Sequence, residues 1–266
     1  MSEFERLRVV TGYEFLKHIR RKRLYVILGL TLIAELAVLI LLPVLMEGYP
    51  DNVKVMAAML TIGPSLAVIG AVFFAGDAIA GEFESKTGYM LFINPVRRIT
   101  LVTGKYLASC ASVTLLVIFG YAIATISLLA IYGEVPIETA KSFGLCLLYA
   151  GSVVSVTFFF SSLSKGAMGA TVITLVFILV ISGVVESVLM MAGEPYWFLL
   201  STAGDSIAMV YGGIELFLEG VMPHSASMLP FEIETPDIGL CALSMVIYLV
   251  VGLILSFWIS GRRQLA

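Results

Sequence analysis

Six long apolar runs constrain the fold of this 266-residue chain more than any other feature. A helix rises about 1.5 Å per residue, so a run of about 20 residues crosses a hydrocarbon core of about 30 Å. Lipid offers the backbone no hydrogen-bond partner, so each run is predicted to be helical. The predicted spans are about 24–46, 55–75, 107–132, 143–163, 167–191 and 238–260. The sequence predicts an all-α membrane protein whose single transmembrane domain covers residues 1–266.

Composition agrees with this class, because only 13% of the residues are charged, against about 25% in soluble domains. The three cysteines lie inside apolar runs without C-x-x-C spacing. Neither a disulfide framework nor a metal site is therefore predicted.

The basic residues predict the orientation of the chain. With a cytoplasmic N-terminus, 14 of the 16 Lys and Arg residues fall in inner segments, and only Lys54 and Lys141 fall outside. Cytoplasmic loops carry such an excess of positive charge. We expect a multi-pass protein of the cell membrane with both termini in the cytoplasm.

Residues 1–23 combine basic side chains with apolar residues at roughly helical spacing, including Phe4, Leu7 and Val10. This pattern predicts an amphipathic helix on the cytoplasmic membrane surface. The alternative is a basic flank that only sets the topology.

The outer segment, residues 192–237, contains two short apolar pieces at Tyr196–Ala203 and Ile207–Leu218. Glycines interrupt them at Gly204-Asp205 and at Gly212-Gly213. Each piece is too short to span, so a pair of short outer helices is predicted. They form either a cap over a pathway or an interfacial aromatic anchor.

Two carboxylates lie within predicted spans. Glu35 is near the middle of the membrane, and Glu186 is near the outer interface. A charge at mid-membrane costs about 3 kcal/mol on insertion scales, and such residues often mark a pathway. The alternative for Glu35 is a protonated acid hydrogen-bonded to a neighbouring helix, while Glu186 can simply be hydrated.

The chain lacks recognisable catalytic motifs. Gly76 and Gly81 have the spacing of a phosphate-binding loop, but Glu82-Phe83 follow where lysine and a hydroxyl are required. Neither G-x-S-x-G nor H-E-x-x-H occurs. No catalytic residue, bound cofactor or nucleic-acid partner is predicted, so the protein moves, senses or anchors something.

The polar segment Gly76–Ala108 separates the second and third spans. A short helix is predicted over Asp77–Leu91, with Ile79, Phe83 and Met90 on one face and a Glu82–Lys86 pair. Such a helix fits the groove of a partner protein. The alternative is a solvated loop whose basic end sets the topology.

Four sequence elements in this segment resemble the cytoplasmic signature of ABC-2 type transporter permeases. They are D-A-I-A-G-E at 77–82, Glu82 and Glu84 before Thr87, N-P-x-x-R at 94–98, and G-K-Y-L at 104–107. The six spans, basic N-terminal helix and outer helical pair are also similar to that family. One departure is Lys86-Thr87, where many members carry Gly-Thr.

The resemblance implies a half-transporter that exports its substrate with a separate ABC ATP-binding subunit, which holds the ATP and Mg. A second permease copy, identical or related, would complete the complex. Residues 77–106 would contain a cytoplasmic coupling helix, with Glu82 and Phe83 in the ATPase groove and with Arg98 and Lys105 fixing its exit. The residues implied to form this docking region are Asp77, Glu82, Phe83, Glu84, Thr87, Pro95, Arg98 and Lys105.

Other classes stay open at this point. A secondary transporter or channel would need more polar residues along its spans than Glu35 and Glu186, and inverted repeats are not visible. A membrane anchor or sensor would share the topology. The D-A-I-x-G-E stretch also resembles permeases of the copper-enzyme maturation type. The sequence does not select a substrate among lipids, drugs, peptides and cations.

Overall fold

A computed structural model of the chain describes residues 2–20, 22–45, 48–84, 98–213 and 236–262. Their regular structure is helical, without a strand in these ranges. The elements are α1 (Glu3–Arg20), α2 (Lys22–Leu45), α3 (Val53–Met59), α4 (Gly63–Ala75), α5 (Ala80–Glu84), α6 (Arg98–Tyr132), α7 (Glu138–Leu163), α8 (Ala167–Leu175), a π-helical segment (Val176–Ile181), α9 (Ser182–Ala192), α10 (Leu200–Met209) and α11 (Ile238–Arg262).

Six segments of the described chain are long and apolar enough to cross a membrane, which confirms the predicted fold class. They are Lys22–Leu45, Val53–Glu82, Ile99–Tyr132, Glu138–Leu163, Ala167–Ala192 and Ile238–Arg262. We refer to them as spans one to six. Helix α1 forms where the sequence predicts it, while its position on a membrane surface stays a prediction.

The helices of spans three and four begin earlier than the apolar runs do. Helix α6 begins at Arg98 and α7 at Glu138, whereas the hydrophobic runs begin at 107 and 143. Hydropathy marks the stretch that lies in hydrocarbon, but a helix can continue into water because its backbone hydrogen bonds are internal. The first turns of α6 therefore belong to the predicted coupling region.

Span two is interrupted, which differs from the continuous helix predicted over 55–75. Helix α3 ends at Met59, and α4 begins at Gly63 with Pro64 in its first turn. Proline lacks an amide hydrogen and disfavours the α conformation in the preceding residue. Gly63-Pro64 therefore ends one helix and begins another, although the whole run is apolar.

Spans two and four form the centre of the bundle, with 61% and 56% of their most apolar stretches buried, against 33% or less elsewhere. Small polar residues of α7 contact both neighbours: Ser152 donates to the Met245 carbonyl on α11 at 2.7 Å, and Ser155 lies 3.0 Å from the Tyr106 hydroxyl on α6. Small side chains let membrane helices approach closely.

Helix α10 passes through Gly204-Asp205, where the sequence predicts a break. A Cβ on Gly204 would lie 2.9 Å from the Tyr149 hydroxyl oxygen, so this glycine permits close packing on α7 rather than a turn. The predicted break at Gly212-Gly213 is present, with φ of 142° and 77°, a region that favours glycine. The remainder of the second predicted piece lies outside the described residues, and the cap and anchor interpretations both stay predictions.

Candidate functional site

Lys105 is the centre of an ion-pair cluster that joins three helices at the α1 end of the bundle. Its Nζ lies 2.7 Å from Glu14 Oε1 on α1 and 2.5 Å from Glu82 Oε1 on α5. Only 5% of the Lys105 side chain is exposed. We call Glu14, Glu82 and Lys105 the Lys105 cluster; it links segments that are distant in sequence.

Close packing between α1 and α6 positions Glu14 against Lys105. A Cβ on Gly104 would lie 2.5 Å from Val10 Cγ1, so the absence of a side chain there lets the two helices meet. Near the other end of α1, Thr100 donates to Glu3 Oε2 at 3.2 Å. Helix α1 therefore packs along the first turns of span three.

Substitution of Gly104 by alanine should loosen this helix crossing. The added methyl overlaps Val10, and overpacking of this kind costs about 1–3 kcal/mol. Since Val10→Ala removes the methyl groups that clash, the double variant should recover most of the loss in a double-mutant cycle. The thermal midpoint of the purified protein measures this; additive losses would mean that Gly104 and Val10 are not coupled.

The charges of the cluster are unequal in number, with one ammonium group between two carboxylates. Partial burial acts to raise the pKa of Glu14, but the positive charges of Lys105 and then Lys17 outweigh it and hold that pKa below its usual range. Lys17 Nζ lies 3.2 Å from the second oxygen of Glu14. Glu14 is thus held ionised between two cations.

Helix α5 is also anchored to spans four and five. The Ser161 hydroxyl at the end of α7 accepts hydrogen bonds from the backbone amides of Ile79 (3.2 Å) and Ala80 (3.1 Å). Glu84 Oε2 accepts one from the Ala167 amide at 2.8 Å, where the exposed N–H groups of α8 favour a carboxylate.

Asp77 connects the same segment to span one through an ion pair with Arg23 at 3.3 Å. Together with Glu14, the three carboxylates Asp77, Glu82 and Glu84 line a cleft of about 410 Å³ with Lys105 in its wall. Segment Asp77–Glu84 therefore contacts α1 and four of the six spans.

The predicted docking residues fall into two groups. The structure places Asp77, Glu82, Glu84 and Lys105 around one cleft. Thr87 and Pro95 lie outside the described residues, as do the side chains of Phe83 and Arg98. The docking roles of all eight stay predictions.

The structure also shows a partner of Glu82 and further residues that sequence reasoning missed. Glu82 pairs with Lys105; Lys86, its predicted partner, lies outside the described residues, so the Glu82–Lys86 pair stays a prediction. Glu14 and Ser161 were not predicted. Sequence patterns could not reveal them, because Glu14 is 91 positions from Lys105 and Ser161 is 82 from Ile79.

The family model described as ABC-2 family transporter protein matches residues 12–181, which is more than half of the chain. The chain belongs to the ABC-2 transporter family. A search of curated proteins found no match. Members of this family are the membrane permeases of ABC transporters, typically without enzymatic activity, and they work with an ABC ATP-binding subunit. The matched stretch contains every member of the Lys105 cluster.

Glu35 of this permease is fully enclosed. It lies on the inward face of α2, which also carries Leu24, Ile27 and Thr31. Within the described part of the chain, neither carboxyl oxygen of Glu35 has a hydrogen-bond partner. Glu186 is half-buried in α9, and no described hydrogen bond or ion pair joins the two.

Proposed function

We propose that this permease exports its substrate across the cell membrane and that a separate ATP-binding subunit docks at the α1 end of the bundle. The observation that supports this most is the anchoring of segment Asp77–Glu84, which contacts α1 and spans one, three, four and five. A force applied there by a partner is distributed to most of the bundle.

The contacts of this segment suit it to transmit a displacement. The Lys105–Glu82 pair is mostly shielded from water, so separating it leaves charges poorly solvated. The bond from Ala167 to Glu84 joins α5 to the first residue of span five. Movement of α5 should therefore carry α1, the start of span three and the start of span five together.

The proposed orientation places the α1 end in the cytoplasm. That end carries α1, the start of α6 and the end of α11 with Arg262, while Lys54 and Glu138 lie at the opposite end. The positive-inside rule supports this assignment. We further propose that two permease copies, identical or related, pair with two ATP-binding subunits, which hold ATP and Mg.

A secondary transporter or channel is the second candidate, and the enclosed carboxyl of Glu35 is the observation that favours it. Ionisable groups inside a membrane commonly line ion or substrate routes. In that case the chain would function without an ATPase.

Co-purification tests the first proposal. The tagged permease, extracted in mild detergent, should carry an ATP-binding subunit in fixed stoichiometry. Phe83→Asp should release that subunit, because a charge replaces an apolar group at the predicted docking helix. Ile137→Asp is the matched control, since Ile137 is 74% exposed at the opposite end. A permease that purifies alone, or equal retention in both variants, would reject ATPase docking at this segment.

A further inference from the structure

A second cleft, of about 290 Å³, opens at the end of the bundle opposite α1. One wall is the interruption of span two, with Thr61, Pro64 and Ser65, and the other is α10 with Asp205. We call it the outer cleft. It does not share a lining residue with the cleft around Lys105.

The interruption of span two gives the outer cleft a wall of irregular backbone with the polar side chains of Thr61 and Ser65. Thr61 lies eight residues after Val53, which corresponds to about 12 Å along the span. Irregular backbone at membrane depth is tolerated only where protein buries it or where it lines an aqueous cavity. Ser65 is exposed although it lies in an apolar run, which agrees with a water-filled cleft.

Asp205 supplies a negative charge to this cleft without a matching cation. Its side chain is exposed, and it forms no ion pair with another described residue. Lys54, the one basic residue among those described in the lining, is 2.7 Å from Glu138 and already neutralised. Partial desolvation, followed by the negative charge of Glu186, raises the pKa of Asp205 to about 6. The positive charge of a bound cation would favour the ionised form of Asp205 and so act against both effects.

The rest of the lining is largely apolar and includes Val55, Ala58, Pro64 and Met209. Small-molecule sites commonly combine such walls with one or two placed polar groups. A metal ion fits this lining poorly, and in the described ranges no three His, Cys, Asp or Glu side chains lie together as metal ligands.

We propose that the outer cleft binds a small organic cation, an ammonium or guanidinium group on an apolar body, with Asp205 as its counter-ion and the apolar wall against its body. Glu186 adds negative potential from the end of span five. This inference rests on the proposed export function, because it takes the bound cation to be the exported substrate and the outer cleft to be its exit.

Binding can be measured on the full-length permease in nanodiscs, without the ATPase. The probe is benzyltrimethylammonium, and the comparison ligand is neopentylbenzene, its neutral isostere. The ammonium compound should raise the thermal midpoint in a concentration-dependent manner, while the neutral isostere should have little effect. Asp205→Asn should weaken the apparent affinity about tenfold or more. Glu194→Gln, an exposed carboxylate outside the cleft lining, should bind as the wild type does.

A second variant keeps the test decisive if Asp205→Asn folds poorly. Ala208→Phe fills the outer cleft while retaining the carboxylate, and it should abolish the response to the ammonium compound. Equal stabilisation by both ligands, or full binding in either cleft variant, would overturn the proposal. Because the assay omits the ATPase, failure here leaves the co-purification result intact, and failure of co-purification leaves cation binding measurable.

Discussion

Replacing Lys105 with methionine is expected to lower the free energy of unfolding by about 3 kcal/mol and to uncouple the permease from ATP hydrolysis. The substitution retains side-chain length but leaves Glu14 and Glu82 facing each other without the cation between them. Because both carboxylates are partly accessible, with 16% and 25% of their side chains exposed, the loss should lie at the low end of that measured for broken buried pairs. Chemical or thermal unfolding gives the stability, and substrate-dependent ATP turnover of the complex gives the coupling.

Two further variants separate charge from packing. Lys54→Met removes an equally short ion pair, with Glu138, whose lysine is 42% exposed; exposed pairs contribute about 0–1 kcal/mol. The triple variant Lys105→Met, Glu14→Gln, Glu82→Gln removes the uncompensated charges and should recover much of the stability without restoring coupling. If Lys105→Met lowered the free energy of unfolding no more than Lys54→Met does, the Lys105 cluster would not stabilise the α1 end of the bundle.

Glu35→Leu is expected to stabilise the permease by about 1–3 kcal/mol and at the same time to reduce its turnover. A buried polar group without a hydrogen-bond partner carries an uncompensated desolvation cost of about that size, which leucine removes. A residue that reduces stability in the membrane interior is commonly retained for function. The two readouts are the thermal midpoint of the purified permease and the ATP turnover of its complex.

Thr31→Val is the control for Glu35→Leu. Thr31 lies one helical turn earlier on the same buried face, but its hydroxyl already donates to the Ile27 carbonyl at 2.8 Å, so neither stability nor turnover should change much. If Glu35→Leu were stabilised with full turnover, Glu35 would have no role in transport. A marked loss of stability would instead mean that its carboxyl makes a structural contact.

Local sequence patterns were sufficient to predict the membrane architecture. Twenty-residue apolar runs have few alternatives to a spanning helix, because lipid cannot satisfy backbone hydrogen bonds. The polar segment 77–106 is equally evident, because its charged side chains are unsuited to lipid and it lies between two apolar runs. The resemblance of this segment to ABC-2 permeases implies Asp77, Glu82, Glu84 and Lys105 as members of one docking region, and the structure places all four around one cleft.

The interruption of span two shows where hydropathy alone fails. Averaging over an apolar window hides Gly63-Pro64, although the backbone chemistry of proline gives a physical reason for a helix boundary there. Conversely, Gly204 was interpreted as a break but lies within α10, because its missing side chain accommodates Tyr149. The sequence alone does not distinguish a glycine that forms a turn from one that permits close packing of two helices.

The sequence by itself determined the helical class, the six spans and the polar segment that joins spans two and three, because each follows from interactions between near neighbours and the solvent. Only the tertiary structure decided that Glu82 pairs with Lys105, that Glu14 completes the cluster, and that Asp205 faces the interrupted span across a cleft. These arrangements depend on how separate helices pack. The partners lie tens of residues apart in the sequence. Many other side chains of the same charge are equally good candidates as long as only the sequence is known.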